Sequence, residues 1–308
     1  MAIAGLSTID GTLAAFDDHL RRVRGVSSEV RRGYARIARR FLDGVFGDGP
    51  VCDLGRLSAS DVVGFVFNAQ GRYRPSTLQG VTTALRSFLR FLAVEGACVD
   101  RLEEAVPKVA LRRLSSVPRH LSCGEFERLI ASLYERDSPD GLRARAMLLL
   151  AARLGLRAGE IARLALDDID WRSGTVRIRT RKTGHGALLP LPVDVGEAIV
   201  GYLQRGRPAS DDRHVFLLHQ QRVGAPIDRR VVGDVARRAV ARTGIQAPVR
   251  GANLLRHSLA SGLLANGASL KEIADLFGHR ALSSTQVYAK VNVVALREAA
   301  LPWPEVTR

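Results

Sequence analysis

The chain has 308 residues, which suits two domains better than one ordinary core, and its 46% hydrophobic share excludes a disordered protein. Its 46 Lys and Arg against 31 Asp and Glu give a net charge of +15, which indicates a polyanionic partner, nucleic acid before membrane. No apolar run reaches the about 18 residues of a membrane span, and the 3 scattered cysteines fit neither a disulfide framework nor a zinc cluster, so neither metal nor cofactor is expected.

The charge is unevenly distributed along the chain. Residues 1–105 hold 14 basic and 12 acidic residues, a net charge of +2, whereas residues 106–308 hold 32 and 19, a net charge of +13. The positive field therefore belongs mainly to the C-terminal two-thirds of the chain. A solvated surface on an arginine-rich protein is the open alternative.

The first hundred residues predict helices separated by glycine-containing turns. Apolar residues recur at helical spacing and no strand-like alternation intervenes. Ser60 is placed to cap the third helix, and Pro75 and Gly96 bracket the fourth. The predicted helices cover 12–24, 28–46, 58–70 and 76–95. Residues 1–105 are thus expected to form a compact all-α domain.

A weakly patterned stretch follows and predicts an interdomain linker over 106–118. Pro107 and Pro118 bracket it, and it carries the basic residues Lys108, Arg112 and Arg113. These side chains either face solvent or cross a DNA backbone. Arg112 and Arg113 are the candidates for such a contact.

Residues 119–308 predict a second domain that ends in a C-terminal tail. Ser122 and Glu125 form a capping-box pattern at the start of its first helix. Residues 175–181 alternate apolar and arginine side chains, and 187–191 return after a glycine turn, which predicts a hairpin. Helices are predicted at 122–134, 142–154, after Glu160, and at 194–204, 229–243, 253–265, 270–277 and 284–290. The fold class is mainly α with a small β-sheet: an all-α domain joined to a mixed α+β domain.

Cutting DNA without a metal places three requirements on one phosphate. The non-bridging oxygens need a cationic clamp, a nucleophile must lie in line, and the leaving oxygen needs a proton. Arginine suits the clamp because its planar fork donates parallel hydrogen bonds and stays protonated. A covalent protein ester conserves the phosphodiester bond energy, so the reaction needs no ATP.

Five motifs in the second domain supply these parts in a specific order. They are Gly155-Leu156-Arg157-Ala158-Gly159-Glu160, Thr180-Arg181-Lys182-Thr183-Gly184, Asn253-Leu254-Leu255-Arg256-His257, Leu276-Phe277-Gly278-His279 and Ser284-Thr285-Gln286-Val287-Tyr288. Each alone is weak, whereas the ordered set is specific. The set resembles the arginine boxes, lysine strand and nucleophile segment of the tyrosine recombinase (phage integrase) family, of the Xer type. The resemblance spans 119–300, and the helical N-terminus resembles that family's SAM-like core-binding domain.

The resemblance implies a DNA strand-exchange enzyme that works through a covalent intermediate. Tyr288 is then the nucleophile, and its attack leaves a 3′-phosphotyrosyl bond and a free 5′-hydroxyl. Lys182 is the general acid for the leaving 5′-oxygen. The other residues that the resemblance assigns bind the phosphate (Arg157, Asn253, Arg256 and His279) or support those that do (Glu160 and His257).

Each of these residues also has an ordinary structural explanation. Arg157 fits a helix-start arginine paired with Glu160, His279 fits a helix C-terminal cap, and Tyr288 fits a core tyrosine. The polar segment around Tyr288 argues against simple burial. The assignment therefore depends on the set.

Lys182 has an argument of its own. The chain holds 42 arginines and 4 lysines, so a lysine beside arginines on a strand suggests a need for ammonium. An ammonium can release a proton, and a guanidinium effectively cannot. A solvated hairpin lysine is the alternative.

Asn253 departs from the family pattern, which most often has histidine there. An amide donates a hydrogen bond to a phosphate oxygen but cannot carry a proton to or from Tyr288. We therefore expect the clamp geometry to be retained and cleavage to be slower or less dependent on pH.

The expected partner is double-stranded DNA, with no membrane. Candidate DNA contacts are Arg86 and Arg90 on the helix 76–95, which either enters the major groove or faces solvent, and Arg179 and Arg181 on the strand. By resemblance, the protein forms a tetramer on two sites through its tail, although the tail could equally pack on its own domain. Related recombinases or accessory proteins are further candidate partners. The acidic N-terminus predicts no signal peptide, and we expect a cytoplasmic, nucleoid-associated bacterial protein.

Three other functions remain open. A transposase-type member of the same superfamily would share the chemistry. A type IB topoisomerase-like enzyme would relax supercoils as a monomer without site preference. A catalytically weakened, sequence-specific DNA-binding regulator is favoured by Asn253 alone and opposed by the other five catalytic candidates.

Overall fold

The computed structural model describes residues 6–47, 53–98, 101–109, 120–179, 186–246, 251–278 and 285. It divides into two compact units, Met1–Arg113 and Leu114–Arg308. The division falls inside the range predicted as a linker. Each unit has a hydrophobic core of its own, and the described residues are mainly helical, as the sequence predicts.

The helices of the first unit follow the predicted ones closely. Helix α1 begins three residues before the prediction because the Thr8 hydroxyl caps it, accepting from the Gly11 N–H at 3.1 Å. The observed bounds are α1 Ile9–Arg22, α2 Ser28–Phe46, α3 Ala59–Gln70 and α4 Pro75–Val94. Among the described residues, no helix has the combination of length and apolar character needed to cross a membrane.

The cap predicted for α3 is wrong by two residues. Ser58, and not Ser60, is the N-cap, and it forms a reciprocal capping box with Asp61. The Asp61 carboxylate accepts from the Ser58 N–H at 2.9 Å. Because Ser58 still has extended backbone, the helix begins at Ala59.

Aromatic packing forms the core of the first unit. Phe16 of α1 contacts Phe88 of α4 edge to face, with ring centroids 5.1 Å apart. Phe91 packs against the same Phe16 ring, and Phe41 of α2 is fully buried in this core. Val106 is also buried there, so the chain that leaves α4 is packed against the unit before the second one begins.

Helix α6 is the centre of the second unit. Its residues 146–152 are fully buried, and it packs against α8, α9 and α10. A helix that is apolar on every side must be surrounded by other elements. The bounds are α5 Cys123–Ser132, α6 Pro139–Arg153, α7 Ala158–Ala162, α8 Val193–Arg205, α9 Arg229–Arg242, α10 Asn253–Ala265 and α11 Leu270–Phe277.

A small antiparallel sheet lies beside these helices, with strand order β1-β2-β3. The strands are β1 Ile169–Asp170, β2 Thr175–Ile178 and β3 Ala187–Pro190, and Val176 pairs with Leu189. The predicted alternation is confirmed: Val176 and Ile178 are buried, and Arg177 between them is exposed. Strand β1 was not predicted, because a strand of two residues is too short to show an alternation of apolar and polar side chains. The predicted helix 284–290 lies outside the described residues, apart from Thr285.

Candidate active site

Arg157 lies immediately before α7 and is held by a buried carboxylate. The Glu160 side chain, only 2% exposed, accepts from the Arg157 backbone N–H at 2.9 Å and from its Nη1 at 2.8 Å. One carboxylate thus fixes both the start of the helix and the direction of the guanidinium. The Arg157 side chain retains 26% exposure. Arg157 and Glu160 therefore form the pair that the sequence predicts.

Arg256, on the first turns of α10, is 6% exposed and joins two distant motifs. Its Nη1 donates to the Gly155 carbonyl, and its Nη2 donates to the Phe277 carbonyl at 3.0 Å. Its guanidinium carbon also lies 3.9 Å from the centroid of the Phe277 ring. The structure thus brings together three of the five predicted motifs, those that carry Arg157, Arg256 and Phe277.

Phe277 and the conformation of Gly155 were not anticipated as parts of this site. Gly155 has φ +61°, and a Cβ built on it would lie 2.4 Å from Cε1 of Phe277. Only glycine combines that conformation with so close an approach to a ring. Both residues lie inside recognised motifs, but the sequence gives no sign that they touch each other.

Gly155→Ala is therefore expected to destabilise the protein by about 2–4 kcal/mol, because it adds left-handed backbone strain to a steric clash. Thermal unfolding of the full chain measures the effect. Gly262→Ala is a matched control, since Gly262 lies on α10 and nothing lies within 4 Å of the added Cβ. Equal melting temperatures for the two variants would contradict the prediction.

Asn253 and His257 flank Arg256 on α10. Asn253 is the first residue of the helix and is exposed, one turn before Arg256. His257 is half-buried; burial lowers its pKa, and the positive charge of Arg256 acts in the same direction. The imidazole is therefore neutral at pH 7, and a neutral side chain suits the supporting role predicted for His257.

A second buried carboxylate lies at Asp168. Its Oδ2 accepts from the Ala165 N–H at 2.9 Å, and its Oδ1 forms an ion pair with Nε of Arg179. The Asp168 side chain is 3% exposed and that of Arg179 is 59% exposed. This pair was also not anticipated, because the Asp167-Asp168 doublet does not reveal which carboxylate is buried. A cavity of about 210 Å³ is lined by Glu160, Arg163, Leu164, Asp168, Arg177, Ile178, Arg179 and His214.

The candidate DNA-binding arginines of the first unit have protein partners. Arg86 Nη2 donates to the carbonyls of Val106 and Pro107, at 2.8 and 2.9 Å. Arg90 lies 3.8 Å from the Glu103 carboxylate and is 64% exposed. Arg86 therefore fastens the chain that leaves this unit to α4. Binding of DNA by either residue stays a prediction.

Several predicted site residues lie outside the described residues: Lys182, Arg181, His279, Tyr288, Arg112 and Arg113. Helix α11 ends at Phe277, and the following Gly278, with a φ of +60°, caps it in the left-handed conformation immediately before His279. Within the nucleophile segment 284–288, Thr285 is described, and it is fully buried. The roles of these residues stay predictions.

Comparison with known proteins places the chain among recombinases. The model of the phage integrase family matches residues 119–294. Integrase/recombinase y4rA of Sinorhizobium fredii is 44% identical over 97% of this chain and 72% of its own. Tyrosine recombinase XerD of Mycobacterium tuberculosis is 33% identical over 95% of this chain and 97% of its own.

Solved structures share the fold. The XerH site-specific recombinase, in its post-cleavage complex with palindromic difH substrate, superposes with a TM-score of 0.72 over 99% of both chains. At 15% identity this likeness concerns the fold alone.

Proposed function

The chain belongs to the phage integrase family of tyrosine recombinases, and on that premise we propose that Tyr288 cleaves and rejoins DNA at a phosphate held by Arg157 and Arg256. The observation that carries this proposal is the junction at Arg256. Its bonds to the Gly155 and Phe277 carbonyls join the motif of Arg157 to the end of α11, from which the chain runs on to His279. The motifs that are separated in sequence thus converge on one guanidinium.

The cleavage step exchanges one phosphate ester for another. The Tyr288 hydroxyl oxygen attacks phosphorus, a Tyr–O–P bond forms and the P–O5′ bond breaks. The Tyr288 proton passes to water, and Lys182 gives a proton to the departing 5′-oxygen. Arg157 and Arg256 neutralise the charge that develops on the non-bridging oxygens, with hydrogen bonds from His279 and Asn253. Attack by a 5′-hydroxyl on the phosphotyrosine reverses every step and releases a joined strand.

Asn253 makes the fate of the Tyr288 proton testable. Asn253→His is expected to raise the cleavage rate by about tenfold, because a neutral imidazole accepts a proton that the amide cannot. The rate of the variant should rise as the pH passes through about 6.5, the ordinary pKa of histidine. A pH series of single-turnover cleavage measures both effects. An unchanged rate and pH profile would count against a proton-transfer role at this position.

The partner is duplex DNA, and its charge complements that of this protein. Residues 106–308 carry a net charge of +13 and hold all the catalytic candidates. We assign the protein to the bacterial cytoplasm with its DNA substrate. Exchange of strands between two sites requires two copies on each, and hence a tetramer. Integration, excision and transposition of a mobile element all use this chemistry.

A nicked suicide substrate tests the proposal. The nick lets the short 5′-hydroxyl fragment diffuse away after cleavage, so that the covalent protein–DNA complex accumulates and is resolved on a denaturing gel. A covalent band on a verified binding site is the expected result. Binding without a band would instead support a regulator whose catalysis has decayed. Relaxation of supercoiled DNA by a monomer without site preference would support the topoisomerase-like alternative.

A further inference from the structure

Asp168 is a buried carboxylate that the chemistry described above does not use. It lies at the end of the 3-10 turn Leu166–Asp168 and is 4% exposed. Burial of an ionised carboxylate is costly unless it is paired and hydrogen-bonded. The Ala165 N–H and the Arg179 guanidinium supply both kinds of partner. Asp168 therefore ties the residue that follows β2 to the body of the unit.

Arg179 is the last described residue before the sequence segment 180–185, which contains Lys182. Residues 180–185 connect Arg179 to Gly186, which immediately precedes β3. A Cβ built on Gly186 would lie 2.9 Å from the Ile178 carbonyl oxygen and 3.1 Å from that of Arg179. Gly186 thus lies close to the backbone of Ile178 and Arg179, and glycine permits that approach. The chain therefore leaves β2 and enters β3 at two neighbouring points, and Lys182 follows the first of them by three residues in the sequence.

The carboxylates of Asp168 and Glu160 line the same 210 Å³ cavity beside β2, together with Arg179. Each carboxylate is paired with an arginine, Asp168 with Arg179 and Glu160 with Arg157. Two buried carboxylates thus hold two arginines: Arg157 in the first motif and Arg179, which immediately precedes the second motif. Rigid support of this kind matters because a displacement of about 1 Å in a reacting group can cost about 100-fold in rate.

We propose that Asp168 is a positioning residue for strand cleavage: through its ion pair with Arg179 it fixes the residue that follows β2, three positions before Lys182, the proposed proton donor to the leaving 5′-oxygen. This inference rests on the proposed function, and in particular on Lys182 as general acid. It also gives Arg179 a role that differs from the DNA contact predicted for it. In this proposal the guanidinium anchors the residue after β2 to Asp168 and does not primarily bind a phosphate.

A substrate with sulfur in place of the bridging 5′-oxygen isolates this role. A thiol has a pKa of about 8.5, against about 15.7 for water, so a thiolate departs without a general acid. Asp168→Asn is expected to slow cleavage of ordinary DNA by about 10- to 100-fold and to cleave the sulfur-substituted DNA at close to the wild-type rate. Arg179→Gln should behave in the same way. Because Arg179→Gln leaves the buried Asp168 carboxylate without its ion-pair partner, fast cleavage of the sulfur-substituted DNA also serves as the check that this variant is folded.

Three controls separate the possible failures. Asp167→Asn removes the neighbouring exposed carboxylate, which pairs with Arg213, and should leave both rates unchanged. Lys182→Ala should fail to cleave ordinary DNA but should cleave the sulfur-substituted DNA. If this variant cleaves neither substrate, the assignment of Lys182 as general acid is wrong. Arg157→Ala should stay slow on both substrates.

The positioning role is overturned if Lys182→Ala is rescued by sulfur while Asp168→Asn and Arg179→Gln are not. It is also overturned if Arg179→Gln weakens DNA binding with a reduced salt dependence, because that result identifies a phosphate contact. The double variant Asp168→Asn, Arg179→Gln should be no slower than either single variant, since both changes remove the same support.

Discussion

Tyr288→Phe is expected to abolish the covalent protein–DNA complex and to reduce strand cleavage at least about 10⁴-fold, because the substitution removes the attacking oxygen and little else. DNA affinity should stay within about threefold of wild type, since one hydroxyl contributes little to an interface dominated by phosphate contacts. The measurement is the yield of covalent complex on a nicked suicide substrate, with affinity from titration of the uncleaved duplex.

Tyr134→Phe is a matched control for that experiment. Tyr134 is 50% exposed and lies in the same unit, where its ring packs under the Arg145 guanidinium. Removal of its hydroxyl should alter neither binding nor cleavage. A covalent band that persists in Tyr288→Phe would assign the nucleophile to another residue, and proteolytic mapping of the DNA-linked peptide would then identify it.

Arg256→Gln is expected to combine a catalytic and a structural defect. Loss of the guanidinium should slow cleavage by about 10³-fold, the effect of removing one main donor to a transition-state oxyanion. The carbonyls of Gly155 and Phe277 also lose their donor, which should lower the free energy of unfolding by about 2–3 kcal/mol. Single-turnover cleavage and thermal unfolding measure the two defects separately.

Arg256→Lys tests whether charge alone suffices. A lysine ammonium is a point charge without the planar fork that contacts two carbonyls and a ring together, so cleavage should stay about 100-fold or more below wild type. Arg153→Gln serves as the control, because Arg153 is 42% exposed and pairs with Asp194 of α8. Wild-type cleavage by Arg256→Lys would contradict a role that depends on guanidinium geometry.

Local signals in the sequence account for most of the helix boundaries. Helix α5 begins within one residue of the prediction and α11 at the predicted residue. Each has a capping box, at Ser122 and at Ser269, in which the start signal and its hydrogen-bonding groups lie within four residues of each other. The cap of α3 was misplaced because Ser58 and Ser60 are both suitable residue types. The backbone conformation decides between them, and the sequence does not display it.

In the candidate site, too, local contacts could be predicted from the sequence and distant ones could not. Arg157 and Glu160 were predicted as a pair, since a spacing of three residues at a helix start brings their side chains together. The Arg256–Gly155 contact joins residues 101 positions apart in the sequence. Helical or strand periodicity cannot predict a contact over such a separation. Asp168 was missed for a related reason: its ion-pair partner, Arg179, is 11 residues away in the sequence.

The contacts of Arg256 also determine which substitutions are tolerated at positions 155 and 277. Both hydrogen bonds end on main-chain carbonyls, which every amino acid carries, so no substitution at positions 155 or 277 deletes an acceptor. What selection must preserve is the absence of a side chain at Gly155 and the presence of a flat ring at Phe277. A saturation scan should therefore find two positions that tolerate few substitutions: Gly155, where side-chain volume is the limit, and Phe277, where an aromatic ring is required.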